Sequence, residues 1–246
     1  MKLSVCMATY NGEKYIRAQL ESILKQLSEK DEIIISDDSS TDGTIGIIKS
    51  FGDKRIRLYE DDHFRSPIFN FENALKKASG DIIFLSDQDD IWLDNKVEVI
   101  TKLLHSYDLV VSDCIVVDEN ETVLDDSFFK LRGSGPGIIH NLIRNSFVGC
   151  CMAFSRRILE IALPFPKKIE MHDMWIGIIG ELFGKIYFCK EKLVKYRRHD
   201  GNVSETSLRS TNSLMKKNQI RINLTYNAFK RYIELKLHKS ELQCSQ

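Results

Sequence analysis

Nowhere does the 246-residue sequence hold the roughly 18 to 20 consecutive apolar residues that a membrane-spanning helix needs. Its first apolar stretch, residues 3–8, is too short for the apolar segment of a signal peptide and reads as a buried strand. The six cysteines (Cys6, Cys114, Cys150, Cys151, Cys189, Cys244) contain no CxxC pair and no metal-ligand spacing, so zinc and redox frameworks are excluded. Reduced, mostly buried thiols in a cytoplasmic chain are expected instead. No GxGxxG and no GxxxxGK[ST] follow the first strand, which argues against a dinucleotide fold and a P-loop. Net charge is lacking too, with 35 Lys and Arg against 35 Asp and Glu. That zero conceals a division: residues 190–246 hold 13 basic against 5 acidic side chains, leaving 22 against 30 for residues 1–189. An acidic body lacks the broad basic face that displaces counterions from phosphates, so a general nucleic-acid binder is excluded.

What is present is 43% apolar residues, enough for one α/β domain with an appendage. Apolar spacing predicts strands over residues 3–8, 32–36, 56–59 and 81–86, with helices over 14–27, 44–51 and 69–78 between them. This alternation implies a mostly parallel sheet covered by helices on both faces. Further on, a helix is expected over 96–105, strands over 109–112 and 186–189, a flexible loop at Gly133, Gly135 and Gly137, and a helix opening at His172. Open α/β sheets bind ligands beyond the carboxyl ends of their strands. Three polar loops, residues 9–13, 37–43 and 87–90, fall at such ends.

Asp87, Asp89 and Asp90 crowd three carboxylates onto one turn, an unfavourable arrangement unless a cation or hydrogen-bond donors offset it. Hard cations such as Mg2+ take oxygen ligands and are held by one or two carboxylates together with substrate phosphates. Capping of the following helix would need only one aspartate.

These motifs together resemble a family 2 glycosyltransferase of the GT-A fold, with Asp87-Gln88-Asp89 as its DxD motif. The run from Ser86 to Trp92 is similar to the Ser-Asp-Gln-Asp-Asp-x-Trp signature of rhamnosyltransferase-like and O-antigen or capsule members. The resemblance extends from Leu3 to about Asn202, through the opening Ala8-Thr9-Tyr10-Asn11-Gly12, the Asp37-Asp38 loop, Gly149-Cys150-Cys151-Met152, His172-Asp173-Met174-Trp175 and Tyr196-Arg197-Arg198-His199. It implies that Thr9, Tyr10, Asn11 and one of Asp37 and Asp38 border the nucleotide base, Asp38 being favoured. It further implies that Asp87 and Gln88 face the nucleotide sugar, and that Asp87, Asp89 and His199 ligate Mg2+ or Mn2+. Asp173 is the implied general base, since in an inverting transfer a carboxylate takes the proton of the attacking hydroxyl. His172 and Trp175 lie beside it as acceptor-contact candidates; packing in the core is the other reading for the tryptophan. Arg197 and Arg198 could supply charge to the diphosphate.

The family's processive synthases carry Gln-x-x-Arg-Trp and membrane helices, both missing here, so transfer of one hexose or deoxyhexose from a UDP- or dTDP-sugar is expected. The acceptor is a glycan, a lipid-linked one being favoured. Where many members have Ala-Arg-Asn, this chain has Phe69-Asn70-Phe71-Glu72-Asn73, so no donor contact is assigned there. A non-catalytic nucleotide-sugar-binding or scaffold protein of a glycan assembly is the alternative. Residues 1–205 are expected to form the catalytic domain, 1–112 its nucleotide half and 113–205 its acceptor half, with a basic amphipathic tail over 206–246. The tail's stripe Ile222, Tyr226, Phe229, Ile233 and Leu237 recurs at helical spacing among Lys230, Arg231, Lys236 and Lys239. Docking on the body, pairing with another subunit and peripheral contact with the inner membrane's cytoplasmic face all remain open.

Overall fold

The computed structural model describes residues 1–60, 63–199 and 213–244. Strand β1 (Leu3–Thr9), helix α1 (Ile16–Leu24), β2 (Glu32–Asp37), α2 (Thr44–Ser50), β3 (Ile56–Tyr59), α3 (Pro67–Lys77) and β4 (Ile82–Ser86) alternate as the apolar spacing predicts. The chain continues through β5 (Ile91–Trp92), α4 (Lys96–Leu103), β6 (Leu109–Val117), β7 (Val123–Asp125), α5 (Phe128–Arg132) and α6 (Ile138–Ile143). A single 3-10 turn (Gly149–Cys151), β8 (Met152–Ser155), α7 (Arg156–Ala162), α8 (His172–Phe183), β9 (Ile186–Arg197) and α9 (Leu214–Cys244) complete it.

The strands form one sheet in the order β3-β2-β1-β4-β8-β6-β9-β5, with β7 on β6. β1 pairs in parallel with β2 and β4, and β6 with β9, while β8 runs antiparallel between β4 and β6. β6 therefore points the same way as β4, and the sheet is mixed but mostly parallel. Every residue of β2 and β4 is buried, as expected of strands covered on both faces. In register, Thr9 lies beside Asp37 and Met7 beside Ser86. The loops leaving β1, β2 and β4 are thus neighbours at one end of the sheet.

β9 runs eight residues past the expected strand, to Arg197. Its second half reads as polar, and its extended form depends on partners remote in sequence: β6 on one side and β5, through Val194 and Lys195, on the other. The glycine cluster expected as a flexible loop is the short joint between α5 and α6. Cys6, Cys114, Cys150, Cys151 and Cys189 are free and buried, matching the core reading.

The tail is a helix, but the face that docks is not the stripe singled out by spacing. Leu224 and Ala228 are buried, and the Arg231 guanidinium donates to the carbonyls of Ile161, Leu163 (3.0 Å) and Pro164 (2.8 Å). Ile222, Tyr226 and Phe229 face outward. α9 carries two apolar lines, and periodicity alone does not say which one meets the body. The boundary expected between residues 205 and 206 lies outside the described residues, as does Asn202, the expected end of the resemblance. Among the described residues no helix is long and apolar enough to cross a membrane.

Candidate active site

A cavity of about 580 Å³ opens where β1 and β4 end, with Thr9, Tyr10, Asp38, Asp87, Gln88 and Asp89 on its wall. Asp37 is not there. It is fully buried, accepting from Thr9 Oγ1 (2.6 Å), Ser40 N (2.7 Å) and Ser40 Oγ (2.7 Å), and so shapes the loop from behind. Asn11 also shapes it, in the left-handed region at φ +48°, with its Oδ1 accepting from Thr41 N at 2.8 Å. Asp38 reaches the cavity and accepts from the backbone N–H groups of Phe64, Arg65 and Ser66, which fixes the entry to α3.

Gln88 and Tyr10 exchange two hydrogen bonds, Tyr10 N to Oε1 at 2.9 Å and Nε2 to Tyr10 O at 3.0 Å. This ties the turn after β4 to the loop after β1. The pairing needs Gly12, because a Cβ there would lie 2.4 Å from Gln88 Oε1. Gly12→Ala is expected to displace the amide, costing about 1–2 kcal/mol of stability for the two bonds. Donor affinity should fall with it. Thermal denaturation and donor titration of this variant beside Gln88→Ala, which should match it, check the assignment.

Gln19 Nε2 donates to Ser86 Oγ (2.7 Å) and to the Asp87 carbonyl (3.0 Å), holding the start of the acidic turn. Asp90 is buried at its far end; its Oδ1 accepts from Arg197 N at 2.8 Å, and its Oδ2 has no hydrogen-bond partner among the described residues. Arg197 Nε donates to the Asp89 carbonyl at 2.8 Å, and its side chain is buried. It is therefore a brace of the turn and not a ligand for diphosphate, contrary to expectation. Burial and the charge of Asp89 push Asp87 and Asp90 well above the usual carboxylate range. The fully buried Lys96, whose Nζ donates to the Cys150 carbonyl at 2.5 Å, opposes this for Asp87 without cancelling it.

Such a turn fits a divalent cation, and two donor sets offer one. Asp87, Asp90 and the Cys150 sulfur have ligand atoms within 4.8 Å of one another. Burial, however, holds the Cys150 thiol protonated, and hard cations take oxygen in preference to sulfur. The second, expected set of Asp87, Asp89 and His199 is assembled only in part: Asp89 Oδ2 and His199 Nε2 lie 2.9 Å apart, but Asp87 does not complete with them a group whose ligand atoms all lie within 4.8 Å. The chemistry of the donors favours this second set.

The first turn of α8 contributes to the wall as well. Asp173 accepts from Met174 N at 2.6 Å, and burial pushes its carboxyl up to about 6 despite the N–H groups of Met174 and Gly149 that pull it down. His172 lines the same cavity, stacked on Phe71 with ring centroids 3.9 Å apart. Both its ring nitrogens lack a hydrogen-bond partner among the described residues, and burial holds its pKa down at about 3. It is a neutral imidazole with one N–H to give and one lone pair to receive.

Trp175, an acceptor-contact candidate with core packing as the other reading, does not line the cavity. It is fully buried and donates from Nε1 to the Ala162 carbonyl at 2.9 Å, with Arg231 of α9 against its ring. Two residues past Asp173 it is turned roughly 200° round the helix, away from the cavity. Gly177 lets α8 close on the loop before the 3-10 turn, since a Cβ there would lie 2.4 Å from the Phe147 ring, itself on the cavity wall. Sequence reading missed Asn70, Arg65 and Arg132, all of which line the cavity. The Ser66-Pro67 pair, a helix start, could have flagged Asn70 as lying in the first turn of α3, where its Nδ2 donates to the Thr9 carbonyl at 3.1 Å.

Residues 4–161 match the model for Glycosyl transferase family 2. A UDP-Glc:alpha-D-GlcNAc-diphosphoundecaprenol beta-1,3-glucosyltransferase of Escherichia coli is 27% identical over 211 residues, covering 84% of this chain and 81% of that one. S. aureus TarS 1-349 in complex with UDP-GlcNAc superposes with a TM-score of 0.68 at 21% identity, over 94% of this chain and 73% of that one. Mannosyltransferase PcManGT from Pyrobaculum calidifontis, in complex with GDP-Man and Mn2+, gives 0.61 at 19% identity, over 94% of this chain and 64% of that one. The architecture is the GT-A fold expected from the motifs.

Proposed function

This chain belongs to glycosyl transferase family 2 and is a glycosyltransferase; from that premise we propose an inverting, metal-dependent transfer of one hexose or deoxyhexose from a UDP-sugar to a lipid-linked saccharide. The observation that carries the reading is the convergence on one cavity of the acidic turn and the half-buried carboxyl of Asp173, near enough for its charge to raise Asp87. UDP-glucose is the donor named for the E. coli relative and UDP-GlcNAc the ligand of the S. aureus structure, which favours UDP over dTDP and gives no support to rhamnose. The diphosphoundecaprenol acceptor named for the E. coli enzyme, in turn, favours a lipid-linked acceptor here. A place in bacterial surface-polysaccharide synthesis follows from these two.

Asp87, Asp89 and His199 would hold Mg2+ or Mn2+, which when bound offsets the charge that grows on the departing diphosphate. Asp38 and Thr9 border the base, and Gln88 fixes the floor beneath the donor. The bond between the anomeric carbon and the diphosphate oxygen breaks as the acceptor oxygen bonds to that carbon from the other face. The hydroxyl proton passes to the Asp173 carboxylate. His172 is placed to orient the acceptor, giving its N–H to one sugar oxygen or accepting from one hydroxyl.

A panel of nucleotide sugars tested for donor binding and hydrolysis with Mg2+, Mn2+ or a chelator checks this reading. A UDP-hexose should be bound and slowly hydrolysed only with the divalent ion present. Equal turnover in the chelator would end the metal claim, and the absence of binding to any nucleotide sugar would end the whole reading.

A further inference from the structure

The outward side of α9 is left without an explanation by the catalytic reading. Ile222, Tyr226 and Phe229 are 66%, 65% and 62% exposed, and Ile233 continues the line one turn on. Helical spacing puts all four on one face, opposite the buried Leu224 and Ala228. A second apolar pair extends it sideways. Ile139 and Ile143, one turn apart on α6, are 76% and 65% exposed. Arg221, next to Ile222, donates from Nε to the Leu142 carbonyl (2.9 Å) and from Nη2 to the Ile143 carbonyl (3.3 Å), so the C-terminal end of α6 is tied to α9 at that point. Large apolar side chains grouped in this way on a water-facing surface mark an interaction site.

Charge says which kind of partner it meets. Residues 213–237 hold six Lys and Arg against a single Glu. Arg221 and Arg231 are tied to carbonyls of the body, whereas helical spacing sets Lys230 and Lys236 beside the exposed line, giving an apolar face edged with lysine, the composition of a helix lying in the headgroup region of an anionic bilayer. A second copy of this chain is a poor match, because a two-fold pairing sets each basic patch against itself.

The location fits the use. Asn145, two residues beyond α6, lines the catalytic cavity, as does Met171. Met171 also lines a groove of about 220 Å³ that α9 closes with Ile220 and Leu224, so the cavity's acceptor side adjoins the two helices. We propose that the outward face of α6 and α9 is a membrane-docking surface that beds these side chains in an anionic phospholipid bilayer. The cavity then faces a saccharide carried by a membrane lipid; this use of the surface rests on the proposed lipid-linked acceptor, whereas the docking itself does not.

Full-length protein sedimented with vesicles of pure phosphatidylcholine, or of an equimolar mixture with phosphatidylglycerol, tests the surface. Binding should favour the anionic vesicles and weaken with added salt. Ile222→Glu together with Phe229→Glu should lower the bound fraction's partition coefficient by about tenfold or more, with melting temperature and donor hydrolysis in solution unchanged. Lys230→Gln with Lys236→Gln should weaken binding to the anionic vesicles alone. The inference is overturned if the wild type pellets with neither vesicle, or if binding survives the paired glutamates. It is equally overturned if the protein is a lipid-free dimer that the same glutamates convert to monomers. Failure here with donor turnover intact leaves the catalytic reading standing, and vesicle binding by a chain that turns over no donor does the reverse.

Discussion

Asp173→Asn lowers turnover by about 10²–10⁴-fold, the contribution expected of a positioned general base, while donor binding stays within a factor of about three. The substitution keeps the shape and the hydrogen bond from Met174 N but removes the basic oxygen. The pH profile separates this from a merely structural loss. With the carboxyl pushed up to about 6 by burial, the wild-type rate must fall as pH drops through that region, because the protonated acid cannot accept the acceptor's proton. A bound cation nearby favours the ionised form, so the limb in the loaded enzyme should lie at or somewhat below 6. The Asn variant's residual rate should be flat over the same range. A variant that keeps the acid limb, or that loses donor binding along with turnover, would remove Asp173 from the role.

Asp89→Ala abolishes metal-dependent activity by a route that can be read without any turnover. Loss of the cation removes several kcal/mol of transition-state stabilisation, roughly 10³-fold at about 1.4 kcal/mol per decade. In the wild type, ion at a hundredfold excess over Kd should stabilise the fold by about 2.7 kcal/mol, raising Tm by roughly 5–10 °C. That increment should vanish in Asp89→Ala, whose partner His199 loses its contact at 2.9 Å. The sign of its pH dependence follows from the turn. The folded pKa values of Asp87, Asp90 and Asp173 are raised, so the folded state favours their protonated forms. Their stabilising contribution without metal is complete in acid and is lost as pH rises through the folded values. Protons and cation compete for the same oxygens, so the Tm increment should be larger at about pH 8 than at about pH 5. An increment equal at both values, or unchanged in Asp89→Ala, would relocate the ion.

The half of the fold that was easiest to read is the half whose signals are local. β1, β2 and β4 are short, mostly apolar and bounded by turn residues, and the polar loops that end them are equally local signals. Elements that owe their form to distant partners were misread or truncated. The second half of β9 looks polar because Lys190, Glu191, Lys192, Lys195 and Arg197 interrupt its apolar residues, and only its pairing with β5 and β6 makes it a strand. Arg197 reads as spare positive charge in Tyr-Arg-Arg-His, yet the Asp89 carbonyl it braces is 108 residues back. Trp175 and Asp173 sit two apart in one motif, and the turn of the helix sends one to the core and the other to the cavity. Asn70 was passed over because its segment departs from the family pattern, although its place in the first turn of α3 puts it on the wall. In α9 the difficulty was degeneracy: two apolar lines on one helix, with burial decided by the shape of α7 and α8 beneath.

The way Arg197 and His199 return to the acidic turn bears on how these enzymes can be recombined. Residues 1–112 carry every carboxylate of the turn, but the N–H that satisfies Asp90 and the imidazole beside Asp89 arrive from the last strand and just beyond it. A chimera cut near residue 112 to graft a relative's acceptor specificity would bring foreign versions of both. Its donor site would be spliced along with its acceptor site, so a graft meant to change only the recipient sugar has to keep residues 194–199 from the parent that supplies residues 1–112.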